Sequence, residues 1–283
     1  MSELARRTLF AVIAAPLGIL FVFLGGAPLA TMLGVIAALG AWEIQRMATA
    51  NGVEPLMPVG IVVAALIPVA VHGYYLGVFH LSLTAGVVLF LILLASAIWL
   101  RGPARRPINS VALTVVGALY PGTIAYIYAL RHHPYTIERV AGTALVAMPI
   151  LLTWATDTGA YFVGKTIGKR KLIPSVSPGK SVEGAIGGLV LTVIISVVYA
   201  RFLLQPYSGL GLSVSKAVLF GVIISVTAQV GDLVASLMKR DAGVKDSSKI
   251  LPGHGGIVDR FDSLFFVMPV AFLLLNRLLV VAP

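Results

Sequence analysis

Cysteine is absent from this chain of 283 residues, and charged residues are scarce. The absence of cysteine excludes disulfide bonds, thiolate metal sites and a cysteine nucleophile. Only 11% of the residues are charged, against about a quarter in an average soluble domain. The low charge therefore excludes an ordinary soluble globular protein. The sequence also contains no internal repeat and no low-complexity stretch.

Long apolar runs take the place of the missing charges. Hydrophobic residues make up 58% of the chain, and the mean hydropathy is +0.98. A run of roughly twenty residues can cross a hydrocarbon core of about 30 Å, and it must be helical because unpaired backbone groups are costly in lipid. The nine candidate runs are 9–24, 28–47, 57–76, 81–100, 111–130, 140–162, 182–204, 217–238 and 264–281. The fifth is interrupted by Gly117, Pro121 and Gly122.

We therefore predict an all-α polytopic integral membrane protein with about nine transmembrane helices, in which residues 1–283 form a single membrane domain. The net charge of +10 reflects topology and anionic headgroups, so we expect no nucleic-acid partner. If the loops alternate between the two sides, all but five lysines and arginines fall on one side; the five are Arg131, Arg139, Arg201, Lys216 and Arg277. This asymmetry predicts a cytoplasmic N-terminus in the cytoplasmic (inner) membrane.

Two long polar loops, 164–181 and 239–259, lie on the predicted cytoplasmic side. They follow the two spans that carry Asp157 and Asp232 inside apolar runs. A carboxylate within a membrane helix is energetically expensive, so its default interpretation is functional. The coincidence of these acids with the polar loops predicts one site that faces the cytoplasm.

Asp232 has Gln229 and Ser236 on its own helical face, at positions i−3 and i+4. It could be a packing device that a lysine or arginine neutralises. We favour a ligand of a hard cation such as Mg²⁺, which prefers carboxylates together with phosphate oxygens and water. Asp259 and Asp262 open the next span, at the positive end of its helix dipole. A hairpin of the last two spans would bring Asp232 near Asp259.

The segment 236–262 concentrates charge between two apolar helices. Its basic residues are Lys239, Arg240, Lys245, Lys249 and Arg260, and its acidic residues are Asp241, Asp246, Asp259 and Asp262. The glycines of PGHGG, including Gly255 and Gly256, supply flexible backbone and exposed amides for close approach to a phosphate. Glycines alone often mark an ordinary turn, but the flanking cations favour an anion cradle. We assign His254 a hydrogen-bonding or positioning role rather than that of a general base.

The other polar loop ends in Gly179-Lys180-Ser181, which mimics the end of a nucleotide P-loop. A P-loop needs glycine at position 174 after a strand, but the residue is Pro174 and no strand is expected. A helix is expected to begin near residue 182, and its N-terminal end would suit a phosphate site. The polar residues there are Ser177, Lys180 and Ser181 just before the helix and Glu183 in its first turn. An ordinary capped helix start with a topogenic lysine fits these residues equally well.

Two further acids are less specific. Asp157 shares a helical face with Tyr161 and Gly164, and it could ligate a metal, contact a ribose or base, or pair with a loop lysine. Glu43 lies near the cytoplasmic end of the second span, and we interpret it as an interfacial residue.

The segment 236–262 resembles the signature of the phosphatidate cytidylyltransferases (CDP-diacylglycerol synthases). That signature is a Ser, a Lys-Arg pair, a Lys-Asp pair, His-Gly-Gly and Asp-Arg-x-Asp. It reads here Ser236, Lys239-Arg240, Lys245-Asp246, His254-Gly255-Gly256 and Asp259-Arg260-Phe261-Asp262. Upstream features of the family are similar in Asp157-Thr158-Gly159-Ala160-Tyr161, in Ser177-Pro178-Gly179-Lys180-Ser181-Val182-Glu183-Gly184 and in Gly231-Asp232.

The resemblance implies a membrane enzyme that makes CDP-diacylglycerol and pyrophosphate from CTP and phosphatidate with Mg²⁺, and that forms a homodimer. Residues 1–135 would be scaffold helices and 136–283 the catalytic part. Asp232 and Asp259 would hold Mg²⁺ and a second cation. The implied catalytic residues are Asp232, Lys239, Arg240, Lys245, Asp246, His254, Asp259 and Arg260. The implied substrate-binding residues are Asp157, Ser177, Lys180, Ser181, Glu183, Gly255, Gly256 and Asp262.

Two other functions fit parts of the sequence. A CTP-dependent enzyme that acts on an isoprenoid lipid, such as a CDP-archaeol synthase or a polyprenol kinase, would need a similar site. An ion or anion transporter could use Asp157 and Asp232 as an intramembrane relay. Transporters often contain internal repeats, which this sequence lacks, so we favour the enzyme.

Overall fold

The computed structural model describes residues 3–78, 80, 82–134, 138–251, 253 and 255–281, which are almost entirely helical. The helices are α1 (Glu3–Leu24), α2 (Gly26–Ala50), α3 (Met57–Tyr75), α4 (Leu83–Leu100), α5 (Pro107–Gly122), α6 (Tyr126–Arg131), α7 (Arg139–Ile167), α8 (Val182–Tyr199), α9 (Gln205–Ser208), α10 (Val214–Asp241) and α11 (Val258–Leu278). Four short strands are β1 (Lys171–Ile173), β2 (Ser177–Ser181), β3 (Leu210–Gly211) and β4 (Val280–Val281).

Within the described ranges, seven helical stretches are long and apolar enough to cross a membrane. They are α2, α3, α4, Pro107–Arg131, α7, Val182–Ser208 and α10. The apolar part of α1 is shorter, Val12–Leu24. The structure thus confirms the all-α polytopic membrane class. The count of nine spans and the cytoplasmic N-terminus stay predictions.

The chain divides into two compact units. The first comprises Met1–Ala14, Gly26–Tyr128 and Met238–Arg260, and the second comprises Ala15–Gly25, Ala129–Leu237 and Phe261–Pro283. Most of the charged segment after α10 therefore belongs to the unit that contains the N-terminal helices. The single membrane domain and its division at residue 135 stay predictions.

In the first unit, α2 packs against α3 and α5 through small residues. A Cβ added at Gly60 would collide with the Gln45 amide group, and one added at Gly117 would collide with Gln45 Cγ, so glycine permits this close approach. The irregularity predicted for the fifth span is confirmed, because α5 ends at Gly122 and the chain continues through a 3₁₀ turn, Thr123–Ala125, into α6.

In the second unit, α7 and α8 lie side by side with their backbones almost in contact. A Cβ on Gly159 would come within 2.9 Å of the Gly187 carbonyl oxygen, and one on Gly188 within 2.6 Å of the Thr156 carbonyl oxygen. The buried hydroxyl groups of Thr156 and Thr192 lie 2.7 Å apart across the two helices. Small residues and hydroxyl hydrogen bonds of this kind hold helices together in lipid.

The polar loop 164–181 contains secondary structure that the sequence did not predict. Strands β1 and β2 pair antiparallel, with Lys171 opposite Ser181 and Ile173 opposite Ser177. The expectation of no strand before Pro174 is wrong, because β1 ends at Ile173 and a turn follows, closed by a 3.1 Å hydrogen bond from the Val176 N–H to the Ile173 carbonyl. A P-loop stays excluded, since proline occupies the position where that motif requires glycine.

Candidate active site

Lys180 and Asp232 form an ion pair in the second unit. The Lys180 ammonium group, at the end of β2, contacts Asp232 Oδ2 in α10, and the two side chains are 28% and 30% exposed. The Ser236 hydroxyl lies 3.4 Å from Asp232 Oδ1, which confirms that these two residues share one helical face. Lys180, from the loop before α8, therefore contacts Asp232, an acid within an apolar helix.

The ion pair lines a cavity of about 490 Å³. Asp157 and Tyr161 of α7 line the same cavity, together with Lys165 near the end of that helix. The structure thus brings together Asp157, Lys180 and Asp232, which come from three separate parts of the sequence. Two carboxylates and two ammonium groups around one concave space can bind a polyanion together with a cation.

Ser181 and Glu183 hold the β1–β2 ribbon against the start of α8. The Ser181 hydroxyl accepts a 3.1 Å hydrogen bond from the Gly184 N–H, the geometry of a helix N-cap. The Glu183 carboxylate accepts hydrogen bonds from the N–H groups of Lys169 at 3.0 Å and Arg170 at 3.1 Å. Both side chains fix the position of Lys180. Their predicted contacts with substrate stay predictions, as does that of Ser177 in β2.

Polar residues continue along α10 and into α11 within the second unit. The Gln229 amide donates to the Ala185 carbonyl and to the Ser225 hydroxyl, each at 3.3 Å, and Gln229 also lines the cavity. Asp262 Oδ1 accepts a 2.7 Å hydrogen bond from the Ser263 N–H near the start of α11. A Cβ on Gly231 would come within 3.0 Å of the Asp262 carbonyl oxygen, so α10 and α11 are in close contact beside Asp232.

In the first unit, Asp259 forms a second pair with a lysine. Lys239 Nζ donates to Asp259 Oδ1 at 2.7 Å, and the side chains are 12% and 6% exposed. Asp259 Oδ2 accepts hydrogen bonds from the N–H groups of Ser247 and Gly256, each at 2.9 Å. Burial raises the pKa of Asp259, but the Lys239 ammonium and these N–H donors outweigh it, so the pKa lies below its ordinary value. Asp259 is therefore ionised at neutral pH.

The glycines of the charged segment pack against acidic side chains. Gly255 has φ +80°, and a Cβ there would come within 2.6 Å of Asp259 Oδ2. A Cβ on Gly256 would collide with the Ser247 hydroxyl and with the Glu43 carboxylate. The Gly256 N–H already donates to Asp259. The predicted contact of these glycines with a phosphate stays a prediction.

Glu43 has contacts that sequence reasoning missed. It is 0% exposed and so buried within the protein, while its expected position at the membrane interface stays a prediction. Its carboxylate accepts hydrogen bonds from the hydroxyls of Ser247 (2.7 Å) and Ser248 (2.6 Å) and from the N–H groups of Ile257 and Val258 (each 2.8 Å). The signal that could have identified Glu43 is the one used for Asp157 and Asp232, a carboxylate within an apolar run.

Other predicted site residues lie on the surface of the described structure. Lys245 and Asp246 are exposed between α10 and α11, and the side chains of Arg240 and Arg260 are exposed near the ends of those helices. His254 lies outside the described residues. Asp232 and Asp259 belong to different units, so their joint two-cation centre stays a prediction.

The donor groups suit a magnesium ion. Among the described residues, no three His, Cys, Asp or Glu side chains cluster closely enough to hold an ion alone. Mg²⁺ fits such a site, because it binds one or two carboxylates and completes its shell with substrate phosphates and water. Asp157 and Asp232 offer hard carboxylate oxygens on the wall of one cavity.

This chain is similar to known proteins over nearly its whole length. A family model described as the cytidylyltransferase family matches residues 5–278. The phosphatidate cytidylyltransferase of Staphylococcus haemolyticus is 34% identical over 275 residues, which cover 96% of this chain and 99% of that protein. The phosphatidate cytidylyltransferase of Bacillus subtilis is 32% identical over 276 residues, 97% of this chain and 98% of its own. The Haemophilus influenzae protein of the same name is 35% identical, with 94% and 96% covered.

Proposed function

Because this chain belongs to the cytidylyltransferase family, we propose that it transfers the cytidylyl group of CTP to phosphatidate, giving CDP-diacylglycerol and pyrophosphate. One observation carries the proposal: Asp157, Lys180 and Asp232 share a cavity in a chain that is similar to phosphatidate cytidylyltransferases over nearly its whole length. The apolar helices suit a lipid substrate, and the polar loops suit a nucleotide from the aqueous phase.

The reaction joins two polyanions. A phosphate oxygen of phosphatidate attacks the α-phosphorus of CTP, a new P–O bond forms, and the bond from that phosphorus to the bridging oxygen breaks, so that pyrophosphate leaves. The nucleophile is already anionic near neutral pH, because the second pKa of a phosphate monoester is about 6. No strong general base is required.

Charge repulsion is therefore the main obstacle, and the basic side chains address it. Lys180 is held at the cavity wall, where its ammonium group can neutralise a phosphate oxygen. We assign Lys239, Arg240, Lys245 and Arg260 to the CTP phosphates or the phosphatidate headgroup, in line with the resemblance described above. Positioning and electrostatic stabilisation of this kind provide most of the catalysis in phosphoryl transfer.

We assign Asp232 and Asp259 as carboxylate ligands of bound cations, Mg²⁺ and a second cation. A bound Mg²⁺ would supply a Lewis acid that neutralises charge on the transferring phosphate. The chain's part is to hold two carboxyl groups at set positions: Asp232 beside Lys180 and Ser236, and Asp259 beside Lys239.

A direct assay tests the reaction. The detergent-purified chain and Mg²⁺ are incubated with CTP labelled at either the α- or the γ-phosphorus, and with phosphatidate, an archaeol-type ether lipid phosphate or a polyprenol; cytidylyl transfer carries the α label to the lipid, and a kinase carries only the γ label. We expect labelled CDP-diacylglycerol and equimolar pyrophosphate with phosphatidate. Product from an isoprenoid acceptor alone would overturn the proposed substrate. Substrate-dependent flux in liposomes without any CTP turnover would favour a transporter instead.

We place the site on the cytoplasmic face of the cytoplasmic membrane and propose a homodimer. The absence of cysteine allows a clean topology test, because a single introduced cysteine is the only thiol. In spheroplasts, an impermeant maleimide should label Ser213→Cys and should label Lys171→Cys only after lysis; both positions are exposed. Reversed labelling would contradict the orientation. Chemical cross-linking in membranes, read as a doubled mass, tests the dimer.

A further inference from the structure

Glu43 joins an N-terminal helix to the charged segment between α10 and α11. Its carboxylate in α2 accepts four hydrogen bonds, all from residues 247–258 of the same unit. A buried carboxyl group is costly unless its oxygens have hydrogen-bond partners. Four donors provide those partners here, and a residue that is 0% exposed has no surface to offer a substrate. The role of Glu43 must therefore be exerted through its neighbours.

Two of those donors are the first amides of a long helix. The N–H groups of Ile257 and Val258 open α11, a helix of 21 residues that starts at Val258. These amides have no partner within the helix, and the positive end of the helix dipole favours a negative charge. Glu43, which lies in α2, therefore caps the N-terminus of α11. The first residue of that helix, Val258, directly precedes Asp259.

One of the other two donors, Ser247, connects Glu43 to Asp259 itself. The Ser247 hydroxyl lies 2.7 Å from Glu43 Oε2 and 3.0 Å from Asp259 Oδ2, and the Ser247 N–H also donates to Asp259. A hydroxyl has one proton, so both carboxylates share one donor. The Gly256 N–H donates to Asp259, and a Cβ on Gly256 would collide with the Ser247 hydroxyl and the Glu43 carboxylate. A displacement of Glu43 would therefore displace the groups that hold Asp259.

We propose that Glu43 is a positioning residue for cytidylyl transfer: through Ser247, Gly256 and the start of α11, it sets the orientation of the Asp259 carboxylate. The reaction that this serves rests on the proposed function. The hydrogen-bond network does not depend on the proposed function, and the binding of a cation can test it without either substrate.

Glu43→Gln is the informative variant, because it keeps size and shape. A carboxamide has one acceptor oxygen, and its NH₂ group would face a backbone N–H of residue 257 or 258, which cannot rotate away. We expect the Mg²⁺ concentration for half-maximal activity to rise about tenfold, in line with the loss of one hydrogen bond to a charged group. The kcat at saturating Mg²⁺ should change by less than about threefold, because the reacting groups are intact.

Binding of Mn²⁺, followed by the electron paramagnetic resonance signal of the free ion, gives a readout that needs no turnover. We expect the Kd for Mn²⁺ to rise in Glu43→Gln by the same factor as the half-saturating Mg²⁺. Amide hydrogen exchange should also become faster in residues 247–258. Gln45→Met is the matched control: Gln45 is buried in the same helix but packs against Gly60 and Gly117, so its Kd for Mn²⁺ should equal that of the unaltered chain.

Ser248→Ala provides a milder test if Glu43→Gln does not fold. It removes one donor to Glu43 and leaves the other three, so the Kd for Mn²⁺ should rise by about two- to fivefold. The inference is overturned if Ser248→Ala and any folded Glu43→Gln bind Mn²⁺ like the unaltered chain while only their melting temperatures fall. It is also overturned if the unaltered chain binds no Mn²⁺. Normal Mn²⁺ binding without CDP-diacylglycerol formation would instead reject the proposed function alone.

Discussion

The Lys239 ammonium group donates a 2.7 Å hydrogen bond to Asp259 across the segment that separates α10 from α11, and both side chains are largely buried. Removal of one member of such a pair leaves an uncompensated charge, at a cost of about 3–5 kcal/mol. Lys239→Met should therefore lower the melting temperature of the purified protein as well as its activity. Lys249→Met is the control, since that lysine is exposed in the same segment. Equal melting of the two variants would show that the pair contributes little to stability.

Asp232→Asn and Asp259→Asn should each nearly abolish activity while the protein still inserts and folds. Under the proposed function each substitution would remove a cation ligand, and charge stabilisation by a metal is worth several kcal/mol, or about a hundredfold or more in rate. Turnover of CTP at saturating Mg²⁺ is the measurement, and elution as a single folded species is the control. Near-normal turnover in either variant would remove that residue from the metal site.

Lys180→Ala should chiefly raise the KM for CTP, because the ammonium group lines the cavity beside Asp232. The kcat should fall less than kcat/KM, since the proposed phosphate contact would act in the ground state as well as in the transition state. Lys171→Ala is a matched control, an exposed lysine in the neighbouring strand β1. An unchanged KM would leave Lys180 with only a topological role.

Gly256→Ala should greatly reduce both stability and activity. The added methyl group would overlap the Ser247 hydroxyl and the Glu43 carboxylate, neither of which can retreat without breaking hydrogen bonds. Gly86→Ala in α4 is the control, because nothing lies within 4 Å of a Cβ there. Thermal unfolding and CTP turnover of the two variants should differ sharply, and similar values would show that the segment adapts to the methyl group.

Hydropathy was sufficient to predict most helices, because a lipid environment allows few alternatives. The eighth span, predicted at 217–238, is contained in α10, Val214–Asp241. The grouping of Asp157 with Asp232 was also predictable, since carboxylates in apolar runs are rare and costly. The energetic argument required no knowledge of the packing.

The contacts of Glu43 could not be predicted from the sequence pattern. Glu43 and Ser247 are 204 positions apart, and no periodicity predicts which loop folds back onto which helix. The β1–β2 ribbon was missed for a different reason. Its strands are only three and five residues long, and much of their pairing depends on backbone hydrogen bonds that leave little trace in side-chain composition.

The hydrogen bonds from Lys169 and Arg170 to Glu183 connect the entrance of the β1–β2 ribbon to the first turn of α8. The chain before β1 is therefore bonded to the start of α8, and β2 runs directly into that helix, so the backbone of Lys180 is held through both strands of the ribbon. The conformational entropy of placing this backbone is lost when the protein folds, not when a nucleotide arrives. Under the proposed function, an incoming phosphate would therefore meet a preorganised ammonium group.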